Sequence, residues 1–362
     1  MLDYTNPKLL VDTSKLEPGK VMWRSPSNIA IIKYWGKYGV QLPRNPSISF
    51  TLENAFTEMV LEYAPKKGAD EGLSLDFSFH QEPNEAFRQK ILKFLESQIE
   101  VFPFLKQMHL NIRSGNSFPH SAGIASSASS MSALALCLCS LEDELFESLQ
   151  EDQAFDKKAS YIARLASGSA CRSIYGTLGV WGETSDVEGS SNLFAVPYGD
   201  EVAPVFKTFH DDILIASKAE KSVSSRAGHA LMENNDYAAP RYQQARQRMQ
   251  RLLGALQGGD IPTVGKILED EALTLHALMM TSNPSYLLMR PNTLAMIELL
   301  RAYREDTGNQ VYFSLDAGPN LHVMYPEDIM HEVRPFIESE LVPLCEDGLW
   351  IPDWVGDGPV QL

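Results

Sequence analysis

The chain has 362 residues, 44% hydrophobic and 22% charged, with 47 Asp plus Glu against 31 Lys plus Arg and a net charge of −16. That length suits about two domains at roughly 150 residues each, with ample material for a core. The acidic balance excludes a broad nucleic-acid or anionic-membrane surface, although a few local cations can still grip one small polyanionic substrate.

Met1 to Asn6 lack the basic flank and apolar run of a signal peptide, and no apolar stretch approaches the roughly 18 residues of a membrane span. An irregular arm over 1–17 closes at Pro18-Gly19. Alternating and β-branched runs predict strands at 20–24, 47–53, 57–63, 74–79 and 109–113. Phe87, Ile91, Leu92 and Leu95 predict a helix over 84–100. The stretch 114–130 holds seven serines and two glycines around Pro119, and the apolar run 131–141 behind it predicts a buried helix starting near the serines. A helix over 156–166, a small-residue turn at 167–170 and strands at 177–181 and 192–196 follow. Pro197-Tyr198-Gly199-Asp200 is the best boundary between halves, dividing the chain into 1–200 and 201–362. The second half opens with a strand at 213–216. Helices over 240–256, 261–280 and 292–305, strands at 310–315 and 321–324, and a helix over 326–337 complete it. Strands and interspersed helices without strict alternation predict an α+β fold of two lobes. Cys137, Cys139, Cys171 and Cys345 show no zinc or redox spacing, which predicts reduced, buried thiols and a cytoplasmic protein.

Five segments carry chemistry. Phe118 to Ala128 leads small residues into a helix start, where several backbone N–H groups can converge on a phosphate. Gly123 permits close backbone approach, and Ser126 and Ser127 offer hydroxyls to phosphate or magnesium. A plain N-cap needs only one or two such residues. Ser27 to Lys37 places Lys33 and Lys37 four apart; on a helical turn they would share a face and repel unless an anion sat there, while a solvated basic face is the bland alternative. Ala166 to Gly176 pairs a small-residue turn with Arg172, suited to bidentate grip of a phosphate, and Lys221 to Gly228 again pairs serines with Arg226. Such turns are also frequent in ordinary loops. Asp316, before the Gly318-Pro319 turn, is projected at a strand's end, where it serves either as a base or as a turn cap.

In this order and spacing the segments resemble the diphosphomevalonate decarboxylases, within the group of small-metabolite kinases that includes galactokinase, homoserine kinase and mevalonate kinase. The resemblance rests on Asn28-Ile29-Ala30 with Lys33-Tyr34-Trp35-Gly36-Lys37, on Phe118 to Ala128, on Ser167 to Arg172 and on Asp316-Ala317-Gly318-Pro319-Asn320. It implies an N-terminal lobe like ribosomal-protein S5 domain 2, holding nucleotide and substrate, and a ferredoxin-like C-terminal lobe carrying Asp316. It implies ATP and Mg2+ as cofactors, a small-molecule substrate and a homodimer. By the same resemblance Asp316, Lys33 and Arg172 are the catalytic residues. Asn28, Tyr34, Trp35, Gly36, Lys37, Ser167, Gly168, Ser169, Arg172, Ser225 and Arg226 bind substrate, and Pro119, Ser121, Gly123, Ala125, Ser126 and Ser127 bind nucleotide. His120-Ser121, Arg44 and Pro46 depart from the family pattern; Arg44, near the cleft, is positioned to read a different anionic group. A kinase that keeps the carboxylate and a catalytically silent binder are the competing readings. The aromatic tail at 350–356 reads as a surface packing anchor.

Overall fold

In the computed structural model residues 3–68, 72–119, 124, 126–219 and 223–362 are described. β1 (Gly19–Ile32) runs through two segments that the sequence separates, because Ile29, Ile31 and Ile32 are buried and β-branched and so favour extended backbone. Register shifts around Pro26 and after Ala30 keep it paired with its neighbour despite the proline. A short hairpin follows, β2 (Lys37–Tyr38) and β3 (Leu42–Pro43). The two strands expected over 47–63 are one 19-residue strand, β4 (Ser47–Pro65), which changes partner midway. β5 (Ser74–Phe79) has the expected bounds and β6 (Glu82–Pro83) ends the sheet edge. Asn84 caps α1 (Glu85–Ser97), its Oδ1 accepting the Phe87 N–H at 3.0 Å. β7 (Met108–Asn116), α2 (Ser126–Phe146), α3 (Ala154–Ala166), β8 (Leu178–Trp181) and β9 (Ala195–Pro197) complete the first half. The sheet order is β14 (Val360–Gln361)-β1-β4-β7-β5-β6, with β8 and β9 branching from the first part of β4. The β5–β7 pair runs parallel.

The second half comprises β10 (His210–Leu214), α4 (Ser225–Leu231), α5 (Ala238–Gly258), α6 (Ile261–Met280), α7 (Pro291–Thr307), β11 (Tyr312–Ser314), β12 (Leu321–Tyr325), α8 (Met330–Phe336), β13 (Trp350–Ile351) and β14 (Val360–Gln361). Its antiparallel sheet is ordered β11-β12-β10-β13. The first strand starts three residues earlier than expected, and Pro335 interrupts the last helix, which continues as a π turn over Ile337–Leu341. The fold is α+β with two lobes, as the sequence predicts. One apolar core joins the halves: Ile29, Phe50 and Leu52 pack with Phe209, Ile213, Met249 and Leu268. All four cysteines are unbridged and buried.

The tail is more than a surface anchor. Its β13 pairs with β10, its β14 pairs with β1, and Asp353 between them is fully buried. The Asp353 carboxylate accepts the N–H groups of Glu53, Asn54 and Ala55, at the point where β4 changes partner. The tail therefore ties both sheets together.

Candidate active site

Lys33 stands one residue beyond β1, past the last rung with β4 at Ile32–Ile48. Its side chain is 2% exposed, and Nζ donates to Ser314 Oγ and Asp316 Oδ1, both at 2.9 Å. Ser314 ends β11; Asp316 opens the turn to β12, closed by Gly318 N–H donating to the Asp316 carbonyl at 2.7 Å. An ammonium this deep needs a counter-charge, and Asp316 supplies it. The carboxylate is 24% exposed, so it is reachable from solvent while gripped from behind.

The segment after Lys33 is not helical, contrary to one expected geometry. Gly36 takes φ +98° and the chain turns into the β2–β3 hairpin, so the two lysines diverge. Lys37 is half-buried and donates to Gln41 Oε1 at 2.9 Å; burial, then the nearby Arg226 charge, lower its pKa. The Tyr34 ring lies against Trp181 and His229, with centroids 4.6 and 4.3 Å away, and burial pushes its phenol well up. Its hydroxyl is buried and has no hydrogen-bond partner among the described residues. Trp35 turns into an apolar cluster with Met232, Leu275, Met279 and Leu288, where it anchors the turn. His229, which the sequence reading passed over, accepts the Gly36 N–H on Nδ1 at 3.0 Å. Burial first, then Lys37, lower its pKa to about 3, so it stays neutral.

Arg172 lies in a short 3-10 helix, Gly168–Ile174, and is 2% exposed. Nε donates to Ser49 Oγ at 2.9 Å, Nη1 to Ser47 Oγ at 2.7 Å and Nη2 to Asn28 Oδ1 at 3.3 Å. All three acceptors are uncharged. Burial lowers its pKa, and Cys171 and Asp316 act electrostatically in the other direction. A desolvated guanidinium held by neutral acceptors keeps an uncompensated positive charge that can attract an anion, with its geometry set in advance. Asn28 in turn donates to Ser173 Oγ at 2.8 Å and to the Ser169 carbonyl at 3.3 Å. Gly168 is where Tyr34 and Trp181 press in, since an added Cβ would lie 2.9 Å from each ring.

The phosphate-loop residues divide. Ser121, Gly123 and Ala125, with His120, lie outside the described residues, as do Lys221 and Ser222. Pro119 ends the described stretch, Ser126 opens α2, and Ser127 is exposed there, with Ser167 Oγ 3.5 Å from its hydroxyl. Part of the serine run serves another purpose. Ser129 meets Thr57 at 2.7 Å, Ser132 meets Ser25 at 2.6 Å, and Ser140 accepts from Trp23 at 2.8 Å, fastening α2 to β1 and β4. Ser225 and Arg226 are the first residues of α4 and exposed, with Ser224 capping the helix. Arg44 sits over Tyr38 and lines a cavity of about 290 Å3 with Asn45, Glu183 and Arg246.

The structure thus brings Lys33, Ser314 and Asp316 into direct contact, while Arg172, bound to Asn28, lies near enough to Asp316 and Tyr34 to feel them electrostatically. Such a set can abstract a proton from a hydroxyl and neutralise developing negative charge. Among the described residues no three His, Cys, Asp or Glu side chains cluster as metal ligands. No described helix is long and apolar enough to cross a membrane.

Residues 25–193 match the family "Diphosphomevalonate decarboxylase-like N-terminal domain", and residues 212–347 match "Mevalonate 5-diphosphate decarboxylase C-terminal domain". The diphosphomevalonate decarboxylase of Saccharomyces cerevisiae is 31% identical over 333 residues, covering 86% of this chain and 79% of the relative. That of Aspergillus fumigatus is 30% identical over 338 residues, covering 89% and 80%. The crystal structure of mevalonate diphosphate decarboxylase from Staphylococcus aureus superposes with a TM-score of 0.81 at 27% identity, over 97% of this chain and 99% of that one. A structure described as "MDDEF in complex with MVAPP, AMPPCP and Magnesium" gives a TM-score of 0.78 at 26% identity, over 95% and 99%.

Proposed function

The chain belongs to the diphosphomevalonate decarboxylase family, and from that premise we propose which of its residues carry the reaction. Its activity is decarboxylation of diphosphomevalonate, a step of the mevalonate pathway. The proposed overall reaction converts (R)-5-diphosphomevalonate and ATP to isopentenyl diphosphate, ADP, phosphate and carbon dioxide.

A tertiary hydroxyl leaves poorly. Bound ATP with magnesium supplies the phosphoryl group that makes it a good leaving group. Asp316 accepts the hydroxyl proton as that oxygen takes the phosphoryl group. Lys33 orients the Asp316 carboxylate and offsets the charge that accumulates beside it. When the C–O bond breaks, the electron pair of the bond to the carboxylate carbon becomes the new double bond, and carbon dioxide departs. Arg172, with Tyr34, Lys37, Ser167, Gly168, Ser225 and Arg226, holds the diphosphate or carboxylate of the substrate. Asn28, which itself donates to the Ser169 carbonyl, supports Arg172, while Trp35 and Gly36 shape the turn that presents Tyr34 and Lys37. Pro119, Ser121, Gly123, Ala125, Ser126 and Ser127 cradle the nucleotide phosphates. In this reading residues 1–200 form the nucleotide and substrate lobe and 201–362 supply the base. The protein works in the cytoplasm as a homodimer without nucleic-acid or membrane partners.

One observation carries the assignment of the reacting centre: Lys33 and Asp316, 283 positions apart, meet at 2.9 Å with the lysine buried and the carboxylate reachable. Purified protein incubated with ATP, magnesium and diphosphomevalonate is expected to release ADP and carbon dioxide together. ADP alone would make it a kinase, and neither product would make it a binder.

A further inference from the structure

A carboxylate in the middle of a helix, with no exposure at all, needs a reason. Glu271 and His276 both lie on α6 and are 0% and 1% exposed. Each is tied to the main chain of one member of the Lys33–Asp316 pair. Lys33 has left β1, so its peptide groups need other partners. Its N–H donates to Glu271 Oε2 at 2.9 Å, and its carbonyl accepts from Asn45 Nδ2 at 3.2 Å and Arg241 Nη2 at 3.3 Å. On the far side, His276 Nε2 lies 3.1 Å from the Asp316 carbonyl, as a donor when the proton is on that nitrogen.

The charge of Glu271 is matched locally. Arg241 Nη1 reaches Oε1 at 2.6 Å and Arg248 Nη1 reaches it at 2.7 Å. Burial alone would raise the Glu271 pKa, but Arg241, aided by hydrogen bonds from both arginines, holds it below the ordinary carboxylate value. Replacing a buried ion pair with apolar residues often leaves stability unchanged. Stability is therefore a weak reason for this cluster, and placement of a main-chain segment is a better one.

We propose that Glu271, supported by Arg241, and His276 are positioning residues: α6 fixes the backbone of Lys33 and of Asp316 on one rigid element and so sets the separation of their side chains. The inference rests on the reading of those two residues as the reacting centre. It extends that reading by naming what assembles a pair drawn from opposite ends of the chain.

The test uses the full chain and two sets of variants. E271L/R241M removes the clamp and both of its buried charges. A folded double variant is expected to bind diphosphomevalonate and nucleotide within about threefold of the parent, while kcat falls about 100-fold, the scale of a 1 Å misplacement. A crystal structure should show the Lys33–Asp316 contact lengthened beyond hydrogen-bond range. A folded double variant with parental kcat, or with the 2.9 Å contact intact, would overturn the proposal. If that variant does not fold, His276 decides. H276Q keeps a donor at the same reach and should hold kcat within about threefold, whereas H276L should lose about tenfold in kcat at unchanged substrate affinity. Equal loss in both, or in neither, would also overturn it. Parental protein that releases no carbon dioxide would reject the assigned reaction, while the Lys33–Asp316 distance in the variant structure would still decide the positioning claim.

Discussion

Two polar seams reinforce the core that joins the halves of this molecule, and each is built on a buried carboxylate in a different electrostatic state. At the Lys33 corner Glu271 is surrounded by guanidinium groups and its pKa is lowered. At the tail crossing Asp353 has main-chain N–H groups from Glu53, Asn54, Ala55 and Trp354, with Asp211 nearby. There burial pushes the pKa up to about 7, with Asp211 adding to the rise against those N–H donors. Full charges hold a carboxylate ionised in a dry site, whereas dipoles compensate it only in part. The first seam is built for fixed charge geometry beside the proposed reacting pair. The second is built to fasten strands.

If that division is right, damage at the corner should cost activity and damage at the tail should cost stability. The largest effect is expected from Asp316→Asn. Loss of a general base typically costs about 10² to 10⁴ in rate. We expect kcat to fall at least about 10³-fold with ATP-analogue affinity unchanged, measured by carbon dioxide release and calorimetry. Loss of nucleotide affinity in this variant would make Asp316 a nucleotide ligand instead of a base.

The next largest is Gly36→Ala. The residue sits at φ +98°, and an added Cβ would lie 2.2 Å from the Tyr242 hydroxyl. An L-residue there is strained as well as crowded, so the turn bearing Tyr34 and Lys37 should shift. KM for diphosphomevalonate is expected to rise about 10- to 100-fold, with kcat changed less. A variant with parental KM would separate this turn from substrate binding.

Asp353→Asn should have the smaller, opposite signature. The amide retains an acceptor for three of the N–H groups but turns a donor toward that of Ala55, a mismatch worth about 1–3 kcal/mol. Chemical denaturation should show that loss, and kcat at 25 °C should be unaffected. A tenfold fall in kcat would mean that the tail crossing helps to shape the active site, which would erase the distinction between the seams.

How much of this was readable beforehand follows the range of the forces involved. Local signals were legible: Asn84 marks a helix start, the bounds of α6 follow from its apolar spacing, and the strings around Lys33, Arg172 and Asp316 carry the family resemblance from which the site is proposed. The continuity of β1 and β4 was hidden, since it depends on partners outside each segment, from β7 and β8 to a carboxylate from the tail. Glu271, Arg241 and His276 read as the ordinary polar positions of helices, because no sequence period distinguishes a solvated face from one packed on another half. His229 gave no signal either. The serines of α2 did leave one: Ser129, Ser132 and Ser140 repeat at helical spacing, as residues facing a sheet do, while Ser126 and Ser127 fall at the helix start.

The finest test of the comparison is its pH dependence, because His229 at the corner and Asp353 at the tail pull in opposite directions. The His229 pKa is depressed from 6.5 to about 3, so between those values the unfolded chain binds a proton that the native state refuses. That contribution to stability is present above pH 6.5 and lost on acidification. The Asp353 pKa is raised from 3.8 to about 7, so across that window the native state holds a proton that the unfolded chain releases. Its contribution is fully present below pH 3.8 and fades as pH rises through 7. Between pH 4 and 6.5 the two slopes offset each other. Asp353→Asn removes one of them, so the stability gap between parent and variant should narrow steadily from pH 4 to 7, and the variant alone should weaken more steeply on acidification. A gap independent of pH would mean that the Asp353 carboxyl is ionised throughout, its N–H groups then compensating as fully as the arginines do for Glu271, and the two seams would differ in position only.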